Sequence, residues 1–152
     1  MKVSIGFDHG AIGLREAVLR SLEEAGHEVT DHGTDSSESV DYPDYARDVT
    51  ADIVEGRAEA GILCCTTGIG MSMAANKVKG IRAALVRYED EAALTRQHND
   101  ANVLCMGALH TTPHEAARLV KAFLENTFTG ADHPRHSRRV GKFMEWENTS
   151  CL

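Results

Sequence analysis

The chain has 152 residues, 42% hydrophobic and 26% charged, the balance of a soluble globule able to bury one core without disulfide or metal staples. Its formal net charge of −7 sets the surface as a whole against nucleic acid and anionic membranes. Apolar runs such as Ala60 to Cys65 and Ala83 to Val86 are too short to span a bilayer. Met1-Lys2 leads directly into a strand-like segment with no signal-peptide pattern, so a cytoplasmic location is expected. The four cysteines, Cys64, Cys65, Cys105 and Cys151, have neither zinc-site nor disulfide-scaffold spacing, and reduced thiols are expected.

Strand-length apolar runs alternate with helical periodicity along the chain. Val3 to Phe7 reads as a first strand, followed by a helix with Leu14, Ala17, Val18, Leu22 and Ala25 at three- and four-residue steps. Gly26 ends that helix, His27 to Asp31 is a second strand, and Gly33 to Asp41 is a polar, turn-rich loop. Pro43 suits the first turn of a helix that buries Tyr45, Val49 and Ile53. Ala60 to Cys65 is almost wholly apolar, as a parallel strand covered on both faces should be.

Thr66 to Gly70 is a glycine-bearing loop, and Met71 to Lys77 returns to helix. Ile81 to Val86 is the fourth strand, Glu89 to His98 a helix, and Asn102 to Met106 the fifth strand. Thr112-Pro113-His114-Glu115 has the form of a capping box with proline at the first helical position, opening a helix that buries Ala116, Leu119, Val120 and Phe123. A last basic helix starts near Pro134. The alternation predicts a single α/β domain over residues 1–152: a three-layer, doubly wound (Rossmann-like) sheet of about five parallel strands with a C-terminal helix, its last ~10 residues forming a tail.

In such a sheet, ligands bind beyond the carboxyl ends of the strands. Asp8 and His9 follow the first strand, Gly33-Thr34 the second, Cys65 to Gly70 the third, and Gly107 to His110 the fifth. The loop Cys65-Thr66-Thr67-Gly68-Ile69-Gly70 lets backbone approach a ligand and opens a helix, a setting that favours a phosphate or an enediolate oxygen. It lacks both the Gly-Lys-Ser/Thr of a P-loop and the third glycine of a dinucleotide fingerprint. Neighbours on a strand face opposite ways, so only one of Cys64 and Cys65 can serve a site. Cys65 ends the strand beside a helix start, where a thiol tends toward thiolate; Cys64 reads as core. His98 closes a helix before the fifth strand, flanked by Asn99 and Asn102. In the basic run Arg135, His136, Arg138 and Arg139, the two arginines Arg135 and Arg139 share one helix face and can grip one phosphate.

These segments together resemble the type B ribose-5-phosphate isomerase family, which includes galactose-6-phosphate isomerase subunits. The resemblance rests on Gly6 to His9, Asp41 to Ala46, Gly61 to Gly70, Ala74 to Lys77, Gly80 to Ala84, Arg96 to Asp100, Arg135-His136 and Arg139, and runs to about Val140. It implies an aldose–ketose isomerase with Cys65 as the base that shuttles a proton between C2 and C1 through a cis-enediolate. Thr67 would assist, and the N–H groups of Thr66, Gly68, Ile69 and Gly70 would hold the oxyanion. It further implies that His98 protonates the ring oxygen, Asp8 and Asn99 contact the sugar, and His9, Arg135 and Arg139 bind the phosphate. No metal or organic cofactor is implied, and the site is expected between subunits of a homodimer or homotetramer.

Ribose 5-phosphate is the leading expected substrate. Some relatives carry a glutamate where this chain has Met71, so the work of the base falls to Cys65. Thr66 stands where the family usually has glycine, and Leu109 where it commonly has a phosphate-binding arginine, with His110 the nearest replacement. An expansion around Ala131 to Pro134 precedes the basic pair. These departures leave open a tetrose or hexose phosphate such as allose or galactose 6-phosphate. They also leave open a non-catalytic sugar-phosphate-binding module, while adjacent cysteines without Cys-x-x-Cys argue against a thiol redox protein.

Overall fold

The computed structural model describes residues 1–149; Cys151 lies outside them. Five strands, β1 (Lys2–Phe7), β2 (Glu28–Asp31), β3 (Ala60–Cys65), β4 (Ala83–Leu85) and β5 (Val103–Gly107), form one parallel sheet in the order β2-β1-β3-β5-β4. Six helices accompany them: α1 (Ile12–Glu24), α2 (Tyr42–Val54), α3 (Ile69–Ala75), α4 (Glu89–Asn99), α5 (Pro113–Leu124) and α6 (Pro134–Trp146). This is the expected three-layer, doubly wound α/β architecture. No helix among the described residues is long and apolar enough to cross a membrane.

The two-residue period of each strand divides the core. Val3, Ile5 and Phe7 of β1, Ala60, Ile62 and Cys64 of β3, and Leu104 and Met106 of β5 pack on one face beneath α1, α4 and α5. Leu63 and Cys65 of β3, with Val103 and Cys105 of β5, pack on the other beneath α2 and α3. On that second face β1 offers Ser4, whose hydroxyl donates to the buried Asp52 carboxylate of α2 at 2.7 Å. Asp52 also receives His32 Nε2 and Arg57 Nε, each at 2.7 Å. A buried carboxylate with three donors is a satisfied one.

Several boundaries differ from the expectation, each for a local reason. A 3₁₀ turn, His9–Ala11, intervenes before α1 because Asp8 Oδ1 accepts the Gly10 N–H at 2.9 Å. Ala25 is the exposed C-cap of α1 rather than part of its buried stripe. Helix α3 begins at Ile69, two residues early, since Ser72 N–H already reaches the Gly68 carbonyl. Strand β4 is shorter than Ile81 to Val86 because the Arg82 N–H is taken by Asn102 Oδ1 at 2.8 Å. The expected tail is helical at first, as α6 continues to Trp146.

Strand β1 leads through α1 to β2 on one side, while β3 lies on its other side. The carboxyl ends of β1 and β3 therefore flank the point where the winding reverses, where open α/β sheets bind ligands. Asp8 and Cys65 stand at that point.

Candidate active site

Cys65 ends β3 on the α2/α3 face, 4% exposed, with the Gly68 N–H directed at its Sγ at 3.1 Å. The loop above it is held tightly. Gly68 has φ 74, and a Cβ there would lie 2.5 Å from Leu85 and 2.8 Å from the Met106 carbonyl carbon. A Cβ on Gly107 would collide with the backbone of Thr67. Leu109 N–H donates to Thr66 O at 2.8 Å and Ala108 N–H to Cys65 O at 3.0 Å, tying the β5 exit to this loop. Thr67 Oγ1 accepts the Ile69 N–H at 3.3 Å, which leaves its own hydrogen free to donate.

Cys64 faces the opposite side of the sheet, fully buried, and its thiol is pushed well up by burial and by the neighbouring Cys105, Cys65 and Asp8. Cys105 is likewise pushed up by burial. Asp8 is 4% exposed; burial raises its carboxyl above the ordinary value despite the Gly10 N–H, the charge of His9 and the Ala11 N–H, which pull it down. The Val40 N–H donates to His9 Nδ1 at 3.2 Å, so the Nε2 of that ring carries the hydrogen. The exposed Thr66 fits against residue 10 because Gly10 has no side chain to meet its hydroxyl. Leu109 is 64% exposed at the mouth of the β5 exit.

Asp8, His9, Cys65, Thr66, Thr67, Gly68, Ile69 and Gly70 are thus gathered at the carboxyl end of the sheet. His98, Asn99, Arg135 and Arg139 are not. Cys65 pairs with Gly107, the last residue of β5, whereas His98 lies on α4 before β5 begins. Five residues of strand separate the two ends, on the order of 15 Å.

This second cluster is built by the last turn of α4 and the first turns of α6. Asp100, at φ 51, stops α4 and accepts Arg82 at 2.8 Å. Arg96 donates to the Ala101 carbonyl at 2.6 Å and lies over the Phe123 ring. The His98 ring packs on that of His136, centroids 4.3 Å apart. A groove of about 960 Å³ opens alongside, lined by Asn76, Arg82, Asn99, Phe143, Trp146 and Glu147. The sequence reading set His98 apart from the strand-end residues, at the close of a helix before the fifth strand, and the structure puts it there, at the other end of the sheet. The sequence reading gave no role to Gln97, Thr129 or His136, which brace the cluster. Among the described residues, no three or more His, Cys, Asp or Glu side chains are placed to hold a metal ion.

A doubly wound domain with an enclosed thiol under a glycine-loop amide, and separate histidine and arginine groups, fits the sugar-phosphate isomerase class. The family model for Ribose/Galactose Isomerase matches residues 3–143, and the chain belongs to that family as an aldose–ketose isomerase. It is 42% identical over 139 residues to ribose-5-phosphate isomerase B of Escherichia coli, covering 91% of each chain. It is 46% identical over 148 residues, 97% of each chain, to a Bacillus subtilis protein provisionally named a sugar phosphate isomerase. Its fold matches the ribose-5-phosphate isomerase B of Clostridium thermocellum with a TM-score of 0.92 at 42% identity, covering 97% of this chain and 98% of that one.

Proposed function

We propose that this enzyme interconverts ribose 5-phosphate and ribulose 5-phosphate through a cis-enediolate, with Cys65 as the base. The observation that carries this reading is the Cys65 Sγ lying under the Gly68 amide at the switch point of the sheet. A thiolate there takes the proton from C2 while the carbonyl oxygen O1 becomes the enediolate oxygen, held by the N–H groups of the Thr66 to Gly70 loop. The same sulfur returns the proton to C1 as the C2 hydroxyl gives up its own and becomes the ketone. Thr67, with a hydroxyl hydrogen to spare, assists the transfer between O1 and O2. Asp8 accepts from a sugar hydroxyl, and His9 points its N–H toward the phosphate.

Ring opening and the far end of the substrate need His98, Asn99, Arg135 and Arg139, which lie at the other end of the sheet in one chain. We infer that a second copy supplies them, so that each site joins the carboxyl end of one subunit to the α4–α6 cluster of its partner. Exposed apolar side chains beside the Cys65 loop, Ile69 and Met73 of α3, support such a contact. His98 then protonates the furanose oxygen, Asn99 holds a sugar oxygen, and Arg135 with Arg139 grips the phosphate.

A second reading keeps this chemistry and changes the sugar. It is favoured by the Thr66 side chain against Gly10 and by the exposed Leu109, which cannot hold an anion. Incubation in deuterium oxide with a panel of tetrose, pentose and hexose phosphates tests both. Deuterium at C1 of ribulose 5-phosphate or C2 of ribose 5-phosphate is the expected result. Label appearing fastest in another sugar selects the second reading, and no label in any sugar defeats proton transfer altogether.

A further inference from the structure

The proposed chemistry leaves one buried imidazole without a part to play. His136 is 3% exposed, and a buried ring is tolerated only when both nitrogens are satisfied. Arg135 Nε donates to His136 Nε2 at 3.3 Å, so Nε2 is the acceptor nitrogen. The hydrogen therefore sits on Nδ1 and is donated to Thr129 Oγ1 at 3.2 Å. Thr129 passes its own hydrogen to the Gln97 carbonyl at 2.9 Å, and the Gln97 side chain donates to Asn126 Oδ1 at 2.6 Å. Burial, then the neighbouring His98, Arg135, His133 and Arg139, hold this imidazole below the ordinary histidine value, which keeps it neutral.

One ring thus touches both functional groups of the cluster. Its edge takes the Arg135 guanidinium, the His98 ring packs against it tilted by 46° with centroids 4.3 Å apart, and its far nitrogen is tied through Thr129 to the carbonyl of Gln97, the residue preceding His98. On the other side His133 packs at 5.3 Å. A histidine kept only for packing needs neither contact. We propose that His136 is a positioning residue that fixes the His98 ring and the Arg135 guanidinium in one mutual orientation, so that ring opening and phosphate binding are set together. The proposal rests on the roles given above to His98 and Arg135.

Two variants separate this from a packing role. His136→Asn keeps a polar group where Nδ1 meets Thr129 but leaves nothing at Nε2. His136→Gln restores an acceptor near Nε2 without a ring. In the Cys65→Ala background, calorimetry with ribose 5-phosphate is expected to give a Kd about tenfold higher for His136→Asn, the loss of one charge-assisted orientation, and near the parent value for His136→Gln. With Cys65 present, both variants should lower kcat, since neither supports the His98 ring. The Arg135 Nε–H resonance gives a readout that needs no substrate: it should shift or exchange rapidly in His136→Asn and return in His136→Gln. An Arg135 signal unchanged in His136→Asn overturns the proposal. So does a loss of affinity equal in both variants and matched by a fall in Tm. Parent protein that neither binds nor isomerises any sugar phosphate defeats the functional reading instead, while the Arg135 signal still judges His136.

Discussion

Cys64 and Cys65 differ in what their surroundings let a sulfur do. Cys64 lies in the apolar layer under α1 and α5, where burial pushes its thiol up and no donor greets a charge. Cys65 receives the Gly68 N–H at the carboxyl end of β3. Cys65→Ala is expected to lower kcat by about 10²–10⁴-fold with the sugar-phosphate Kd nearly unchanged. Cys64→Ala should cost about 1 kcal/mol of stability and leave kcat alone. Steady-state kinetics beside calorimetry and chemical denaturation separate the two. Asp52 makes a different kind of prediction. Burial favours its neutral form, but hydrogen bonds from His32, Ser4 and Arg57, and the charge of His32, outweigh this and pull the carboxyl from 3.8 to about 2. A folded value below the unfolded one stabilises above the unfolded value and loses that contribution as pH falls through the folded value. Wild type should exceed Asp52→Asn by about 1–2 kcal/mol near neutral pH, after allowance for screening, and the gap should close between pH 4 and 2. Urea midpoints of both proteins across that range check it; a gap that persists at pH 2 contradicts the assignment.

Helices α4 and α5 show how a short stretch of chain places a group. Thr112 accepts the Glu115 N–H at 3.3 Å while the Glu115 carboxylate accepts the Thr112 N–H at 2.8 Å, which starts α5 at a fixed residue. Thr112→Ala should cost about 1 kcal/mol, seen as a lower urea midpoint with kcat retained, because α5 serves the core rather than either cluster. That box was legible from four residues, as were the two faces of β3 and the buried stripe of α5. Local rules of period and capping decide those features, so local sequence reports them. The start of α3 was less legible because the left-handed turn at Gly68 shows only when neighbouring strands press on the loop. The length of β4 escaped for a related reason: its flanking backbone bonds to Asn102 and Asn76 side chains, partners distant in sequence. The gathering of Cys65, Thr67 and Asp8 at the carboxyl end of the sheet was readable because residues that follow parallel strands collect there. His136 and Thr129 were not, since their meaning lies in contacts across 32 residues, Thr129 to Gln97.

At the scale of the whole molecule, the two clusters cannot meet within one subunit. Strand β5 stands between them, with Cys65 beside its last residue and His98 before its first, roughly 15 Å apart by strand rise. A sugar phosphate of five carbons cannot bridge that distance through the sheet, so the function proposed above requires a site whose halves come from different chains, and a twofold axis would then make two equal sites. This predicts complementation. Cys65→Ala and His98→Asn, each expected to be nearly inactive alone, damage opposite halves. In a mixed dimer one site carries both lesions and the other carries neither. Equal amounts, mixed under conditions that exchange subunits, form mixed dimers half of the time, and activity should recover to about one quarter of wild type. Isomerase assays before and after exchange measure it, with mixed dimers quantified by native mass spectrometry. Mixed dimers that form without activity place His98 and Cys65 in the same site of one chain or remove one of them from the chemistry, and either result dismantles the shared-site arrangement.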